Sequence, residues 1–149
     1  MARERYRGIV PADRWYDTRY DMWVREADDG GLVVGATGFG LHLAGAVIAF
    51  TPKPRGAQID AGRGLGTIET GKTVLAVHCP IALVLEQSNE VAEEAPATLE
   101  RDPWTAGWMV RGTPRDWPAD RERLVDATAY RAHCLAIDPD ADITLQERP

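Results

Sequence analysis

Gly66-Thr67-Ile68-Glu69-Thr70-Gly71-Lys72-Thr73-Val74-Leu75-Ala76-Val77-His78-Cys79-Pro80 is the stretch on which the reading of this chain turns. Thr67-Ile68 and Val74-Leu75-Ala76-Val77 are β-prone, and Glu69-Thr70-Gly71-Lys72-Thr73 joins them. Gly71 can take the positive φ that a hairpin tip demands. The spacing predicts a β-hairpin that presents Lys72 on an exposed turn. Lysine is scarce, since of 17 basic residues only Lys53 and Lys72 are lysines.

The same stretch fits the phosphate-loop pattern, with Gly66 and Gly71 bracketing four residues before Lys72-Thr73. A phosphate loop needs a helix directly after its lysine so that free amides surround the anion. Residues 74–85 are β-branched and broken by Pro80, so the match is rejected. Val33-Val34-Gly35-Ala36-Thr37-Gly38-Phe39-Gly40 imitates a dinucleotide-binding glycine turn, but Leu41 stands where the third glycine belongs. Pro52 and Pro54 then cut short any crossover helix. A glycine-rich strand and turn is expected there.

Outward from the hairpin, the flanking segments read mainly as short strands. Met22-Trp23-Val24 and Leu32-Val33-Val34 enclose Asp28-Asp29-Gly30-Gly31, a hairpin pattern. Strands are expected at 47–50 and 81–85, with glycine-punctuated turns between 56 and 66, where helix is excluded. A short helix or helical loop is expected at 89–99, and a closing strand within 104–110. From Thr113 the pattern changes, and Leu124, Thr128, Arg131 and Leu135 recur at helical spacing, predicting one helix over 119–136. The expected organisation is a tail over 1–19, a β domain over 20–112, and a helical extension with an acidic tail over 113–149.

The 149 residues suit one domain, with 44% hydrophobic residues to build a core. A formal charge of -6 opposes the basic balance needed to neutralise phosphates, so nucleic acid is not an expected partner. No apolar run reaches the roughly 20 residues of a membrane span. The first 25 residues resemble neither a signal nor a transit peptide, so a cytoplasmic location is expected. Cys79 and Cys134 are expected to be reduced, and no disulfide framework is implied.

The glycine-rich approach, Glu69 three positions before a hairpin-tip Lys72, and the following Pro80 resemble a lipoyl-attachment domain, most closely the H protein of the glycine cleavage system and its relatives. Tyr20 to Val24, Val34-Gly35 with Thr37 and Phe39, Asn89, Pro96, Asp102-Pro103-Trp104 and Gly107-Trp108 extend the likeness over residues 20–110. The resemblance implies a mainly β barrel-sandwich hybrid of two small antiparallel sheets, to which the C-terminal helical extension over 113–149 is an addition. It implies lipoate joined to Lys72 through an amide, Glu69 read by the lipoyl-attaching enzyme, and a carrier protein, not an enzyme, whose partners do the catalysis. Biotin carriers have methionines where Gly71 and Thr73 stand.

The departures from the usual H-protein pattern are Gly71 in the hairpin, Gly38 in the early segment, and Leu83 after Pro80. Lys53, Arg55 and Arg63 stand where acidic residues are usual. These features, with the extension, look more like the lipoate-binding proteins of the heterodisulfide-reductase-like sulfur-oxidation system. The first expectation is therefore an arm that carries sulfur intermediates to flavin and iron–sulfur subunits. The alternatives are a glycine cleavage H protein carrying an aminomethyl group with the glycine cleavage enzymes, and a non-lipoylated adaptor of the same fold.

His78-Cys79 and His133-Cys134 could in principle make a zinc site, but adjacent strand residues point to opposite faces, so no metal is expected. Cys134 is a candidate for exchange with a dithiolane if its helix packs near Cys79 or the arm. Trp15, Trp23, Trp104, Trp108 and Trp117 are read as core and anchoring residues, and His42 is given no role.

Overall fold

The computed structural model describes residues 4–147. Three sheets hold the chain together. Strands β1 (Arg7–Pro11), β2 (Trp15–Asp17), β3 (Met22–Glu26) and β4 (Leu32–Ala36) lead into helix α1 (Gly38–Ala44). Strands β5 (Val47–Pro52), β6 (Gln58–Ile59), β7 (Gly64–Thr70), β8 (Val74–His78) and β9 (Leu83–Ser88) follow. The chain continues through helices α2 (Glu90–Glu94) and α3 (Thr98–Arg101), strand β10 (Val110–Pro114), helices α4 (Trp117–Arg121) and α5 (Ala127–Ile137), and strand β11 (Asp142–Gln146).

A six-stranded antiparallel sheet runs in the order β2-β3-β4-β10-β9-β6, and a three-stranded antiparallel sheet in the order β5-β7-β8. Their apolar faces meet over Met22, Val24, Leu32, Val34, Leu65, Ile81, Leu83 and Met109. This is the mainly β pair of sheets that the resemblance implies, and it does not close into a barrel. The hairpin over Asp28 to Gly31 forms as expected, with Ala27 N–H donating to Gly31 O at 2.8 Å.

The third sheet was not anticipated. β1 and β11 pair in parallel, Arg7 beside Asp142 through Pro11 beside Gln146, so strands occupy parts of both expected tails. With α5 they cover the other face of the six-stranded sheet. Met22 and Val24 face the first core, whereas Trp23 faces a second one with Tyr16, Val33, Phe39, Tyr130, Cys134 and Ile143. Strand alternation places these two sets on opposite sides. Burying each such large side chain contributes about 1.5–3 kcal/mol, enough to hold the outer layer in place.

The single helix expected over 119–136 is two helices. Backbone bonds between Val125 and Tyr16, 2.8 Å in each direction, draw the intervening segment onto the edge of β2. Asp126 then starts α5, its carboxylate accepting from Ala129 N–H at 2.9 Å. The closing strand lies later than expected, at 110–114. Asp102 organises the loop before it by accepting from Thr105 and Ala106 N–H. The helical segment after Asn89 is two short pieces, the first capped by the Asn89 side chain. The expected glycine turn near Gly38 contains α1, capped by Thr37 Oγ1, and β5 then enters the other sheet, so no crossover unit forms.

Candidate functional site

Thr70-Gly71-Lys72-Thr73 reverses the chain between β7 and β8. Thr70 N–H donates to Thr73 O at 2.8 Å, and Lys72 N–H leans on Thr70 Oγ1 at 3.3 Å. Thr70 is buried, while Gly71, Lys72 and Thr73 are exposed. Lys72 enters no ion pair among the described residues, so its amine stands at the tip of a ladder with solvent around it. Phosphate-loop geometry is absent at this position, because a strand follows Thr73.

The turn corrects one expectation. Gly71 does not adopt a positive φ, and a Cβ built on it meets nothing within 4 Å. No steric reason for glycine exists there. Gly66, at the other end of β7, is different, since its Cβ would stand 2.4 Å from Thr51 O and 2.7 Å from the Pro52 Cα. Close approach of β5 and β7 is what requires glycine at this point.

Glu69 is exposed and sits opposite Val74 in the ladder, on the solvent face of the sheet that carries Lys72. Glu100 lies behind the same end, its carboxylate accepting from Val47 N–H, and Val47 is the register partner of Thr70. Lys53 and Arg63 belong to the opposite end of the sheet. Lys53 N–H donates to Leu65 O at 2.8 Å, and Arg63 O accepts from Cys79 N–H at 2.7 Å. Lys53, Arg55 and Arg63 are exposed and take no part in an ion pair among the described residues.

A narrow cleft of about 140 Å³ opens beside β8, between Leu75, Ala76 and His78 on one wall and Tyr20, Asp21 and Leu41 on the other. His78 stacks on Tyr20 with ring centroids 4.4 Å apart and bonds through Nδ1 to Gly62 O at 2.9 Å. None of the five tryptophans lines this cleft. Trp23 is fully buried, its indole N–H donating to Pro103 O at 3.0 Å with the Arg14 guanidinium over its ring.

The cysteines lie in different cores, Cys79 between the two antiparallel sheets and Cys134 under α5. Both are fully buried. Burial pushes the Cys79 thiol up to about 12 and the Cys134 thiol up to about 11. Neither is poised for thiol exchange, which needs an accessible thiolate, so the exchange candidate falls.

A polar chain that sequence reasoning passed over runs behind the cleft. Gly40 N–H donates to Thr37 Oγ1, Thr37 shares a 2.7 Å bond with Tyr130 Oη, and Tyr130 donates to Asp21 Oδ1 at 2.8 Å. Asp21 holds a left-handed backbone, φ 57°. Burial raises its carboxyl above the ordinary value of 3.8, against the lowering effect of the Tyr130 bond and of His133, whose Nε2 lies 3.8 Å away. Nothing in the spacing marks Asp21 or Tyr130, 109 positions apart, as partners.

Residues 14–136 match the family described as glycine cleavage H-protein. The glycine cleavage system H protein of Anaeromyxobacter sp. (strain K) is 34% identical over 123 residues, covering 83% of this chain and 94% of that protein. Glycine cleavage system H protein 2 of Aquifex aeolicus is 31% identical over 123 residues, covering 82% and 76%. The crystal structure of a glycine cleavage system H protein from Mycobacterium marinum superimposes with a TM-score of 0.73 at 27% identity, covering 83% of this chain and 97% of that one. The matched family region includes the Lys72 hairpin and leaves β1 and β11 outside. Among the described residues no helix is long and apolar enough to cross a membrane.

Proposed function

Because this chain belongs to the glycine cleavage H-protein family, we propose that it is a lipoate carrier of the glycine cleavage type, with the cofactor joined to Lys72 Nζ through an amide. The observation that carries this reading is the exposed lysine at the tip of the β7–β8 turn, inside the family-matched region. Lipoate supplies a redox-active dithiolane that can carry an aminomethyl group, chemistry absent from the side chains here. The protein holds the attachment point away from its core on a short, hydrogen-bonded turn and leaves catalysis to partner enzymes. Glu69, exposed beside the turn, is assigned to recognition by the lipoyl-attaching enzyme. Residues 20–112 are the carrier unit in this reading, and the segments before and after it brace that unit from outside.

The sulfur-oxidising reading rests on Gly71, Gly38, Leu83, the cations Lys53, Arg55 and Arg63 where acidic residues are usual, and the C-terminal extension. The relatives named above are glycine cleavage H proteins, which supports the glycine pathway over that first expectation. Partners in the proposed reading are the glycine cleavage enzymes and a lipoyl-attaching enzyme.

Intact mass and peptide mapping of the protein from its native host, beside a Lys72→Arg variant, tests the attachment. One lipoyl amide at Lys72 and none in the variant is the expected result, and an unmodified Lys72 where other lipoyl proteins are loaded overturns it. Loading of the arm with methylamine by a glycine decarboxylase distinguishes the pathways. Failure to load, together with association with heterodisulfide-reductase-like subunits, would transfer the carrier to sulfur chemistry.

A further inference from the structure

The three-stranded sheet ends at β8, so one side of that strand has no neighbour in the sheet. Which backbone groups point outward follows from the ladder. Thr70 and Thr73 are bonded across the turn, and Leu65 O is bonded on the β5 side by Lys53 N–H. Bonding alternates along an antiparallel pair, so Ile68–Leu75 is a bonded pair, and Val74 and Ala76 direct their N–H and C=O groups away from β7. Val74, Leu75 and Ala76 are all exposed, Val74 to 60%. Exposed edges usually carry a charge, a proline or a bulge that discourages pairing, and residues 73–77 have neither charge nor proline. Beyond them the His78–Tyr20 stack closes the edge.

We propose that the β8 edge from Val74 to Ala76 pairs with an extended strand of the enzyme that attaches lipoate to Lys72. The inference rests on the carrier reading above. The occupant follows from position. An enzyme that brings its active site to Lys72 Nζ covers the chain two to four residues further on, so this edge lies within its footprint. Besides Glu69, the turn offers little side chain to read, because Thr70 is buried, Gly71 has none, and only Thr73 stands exposed beside Lys72. Main-chain pairing supplies affinity and register where side chains are small.

Ala76→Pro tests the edge, because it removes an outward N–H while every β7–β8 bond stays in place. Ala76→Thr changes the side chain and keeps the N–H. With the host's lipoyl-attaching enzyme and its acyl donor, followed by intact mass, kcat/KM for Lys72 should fall about tenfold in Ala76→Pro and stay within about twofold in Ala76→Thr. Circular dichroism melting checks the folding of both variants. If Ala76→Pro does not fold, hydrogen exchange of the wild-type protein with the attaching enzyme gives the answer. Slowed exchange at the Val74 and Ala76 amides is expected, and unchanged exchange overturns the proposal. A modified wild type with an equally fast Ala76→Pro variant sinks the edge alone. A wild type that the enzyme never modifies sinks the carrier reading as well.

Discussion

Tyr130 on α5 donates a 2.8 Å hydrogen bond to Asp21 Oδ1 at the start of β3, tying the outer layer of the protein to the residue that borders the cleft beside β8. The same hydroxyl shares Thr37 Oγ1 at the cap of α1, so one side chain joins three elements. Tyr130→Phe leaves the ring stacked on Tyr16 and removes only the oxygen. It removes a partner from the buried Thr37 hydroxyl and from the half-buried Asp21 carboxylate, and a loss of about 1–3 kcal/mol is expected in denaturant unfolding.

Asp21 gives a pH signature of known sign. Its carboxyl is raised by burial, so the folded protein holds that proton more tightly than the unfolded chain does. This contribution to stability is fully present below the unfolded value of 3.8 and is lost as pH rises through the folded value. Asn tolerates the left-handed backbone and can still accept from Tyr130. Melting temperatures from about pH 3 to 7 should show wild type losing ground to Asp21→Asn as pH rises. A constant difference across that range would refute the assignment.

Position 71 should accept a side chain. Gly71→Val places its Cβ in open space with an ordinary φ, so stability should change by less than about 0.5 kcal/mol. Gly66→Ala should cost about 1–3 kcal/mol, because its Cβ meets the β5 backbone. Chemical denaturation of the pair compares them directly, and a larger loss at position 71 would contradict the turn geometry.

Cys79 and Cys134 should resist thiol reagents in the folded protein and react together in denaturant, since both are buried and both thiols are pushed well above neutrality. Ellman titration with and without guanidinium reads this. Quick labelling of Cys134 under native conditions would show a mobile outer layer, and quick labelling of Cys79 would contradict its burial between the two sheets.

Deleting residues 142–147 should lower the melting temperature by several degrees, as Ile143 leaves the core beneath α5 and β1 loses its partner. Modification of Lys72 should survive the truncation, because the hairpin belongs to a different sheet.

The hairpin that carries Lys72 was legible because its cues are local, namely β-branched residues on either side of a polar, glycine-containing turn. The outer layer was not, because its pairings join the ends of the chain. One cue for it was present. Leu32-Val33-Val34-Gly35-Ala36 is apolar without alternation and is buried throughout, the pattern of a strand covered on both faces. The extra cover comes from α5 and the terminal strands, whose own amphipathic signals are short. The helix prediction over 119–136 failed for a related reason: Leu124 and Val125 keep helical spacing, yet a backbone pairing with Tyr16 outcompetes the helix there. For the candidate site, the exposed turn position of Lys72 was legible from the local spacing, Glu69 was named only through the family resemblance, and the partnership of Asp21 with Tyr130 existed only after folding.

The parallel pairing of β1 with β11 also sets how the molecule bears load. The incoming chain reaches the ribbon at Arg7 and the outgoing chain leaves it at Gln146, with the two strands running in one direction between them. Tension applied across the two ends therefore slides one strand along the other over about 16 Å, straining their bonds together instead of opening them one at a time. A carrier tethered at both ends would meet force first at this shear clamp, in a sheet separate from the one that bears Lys72.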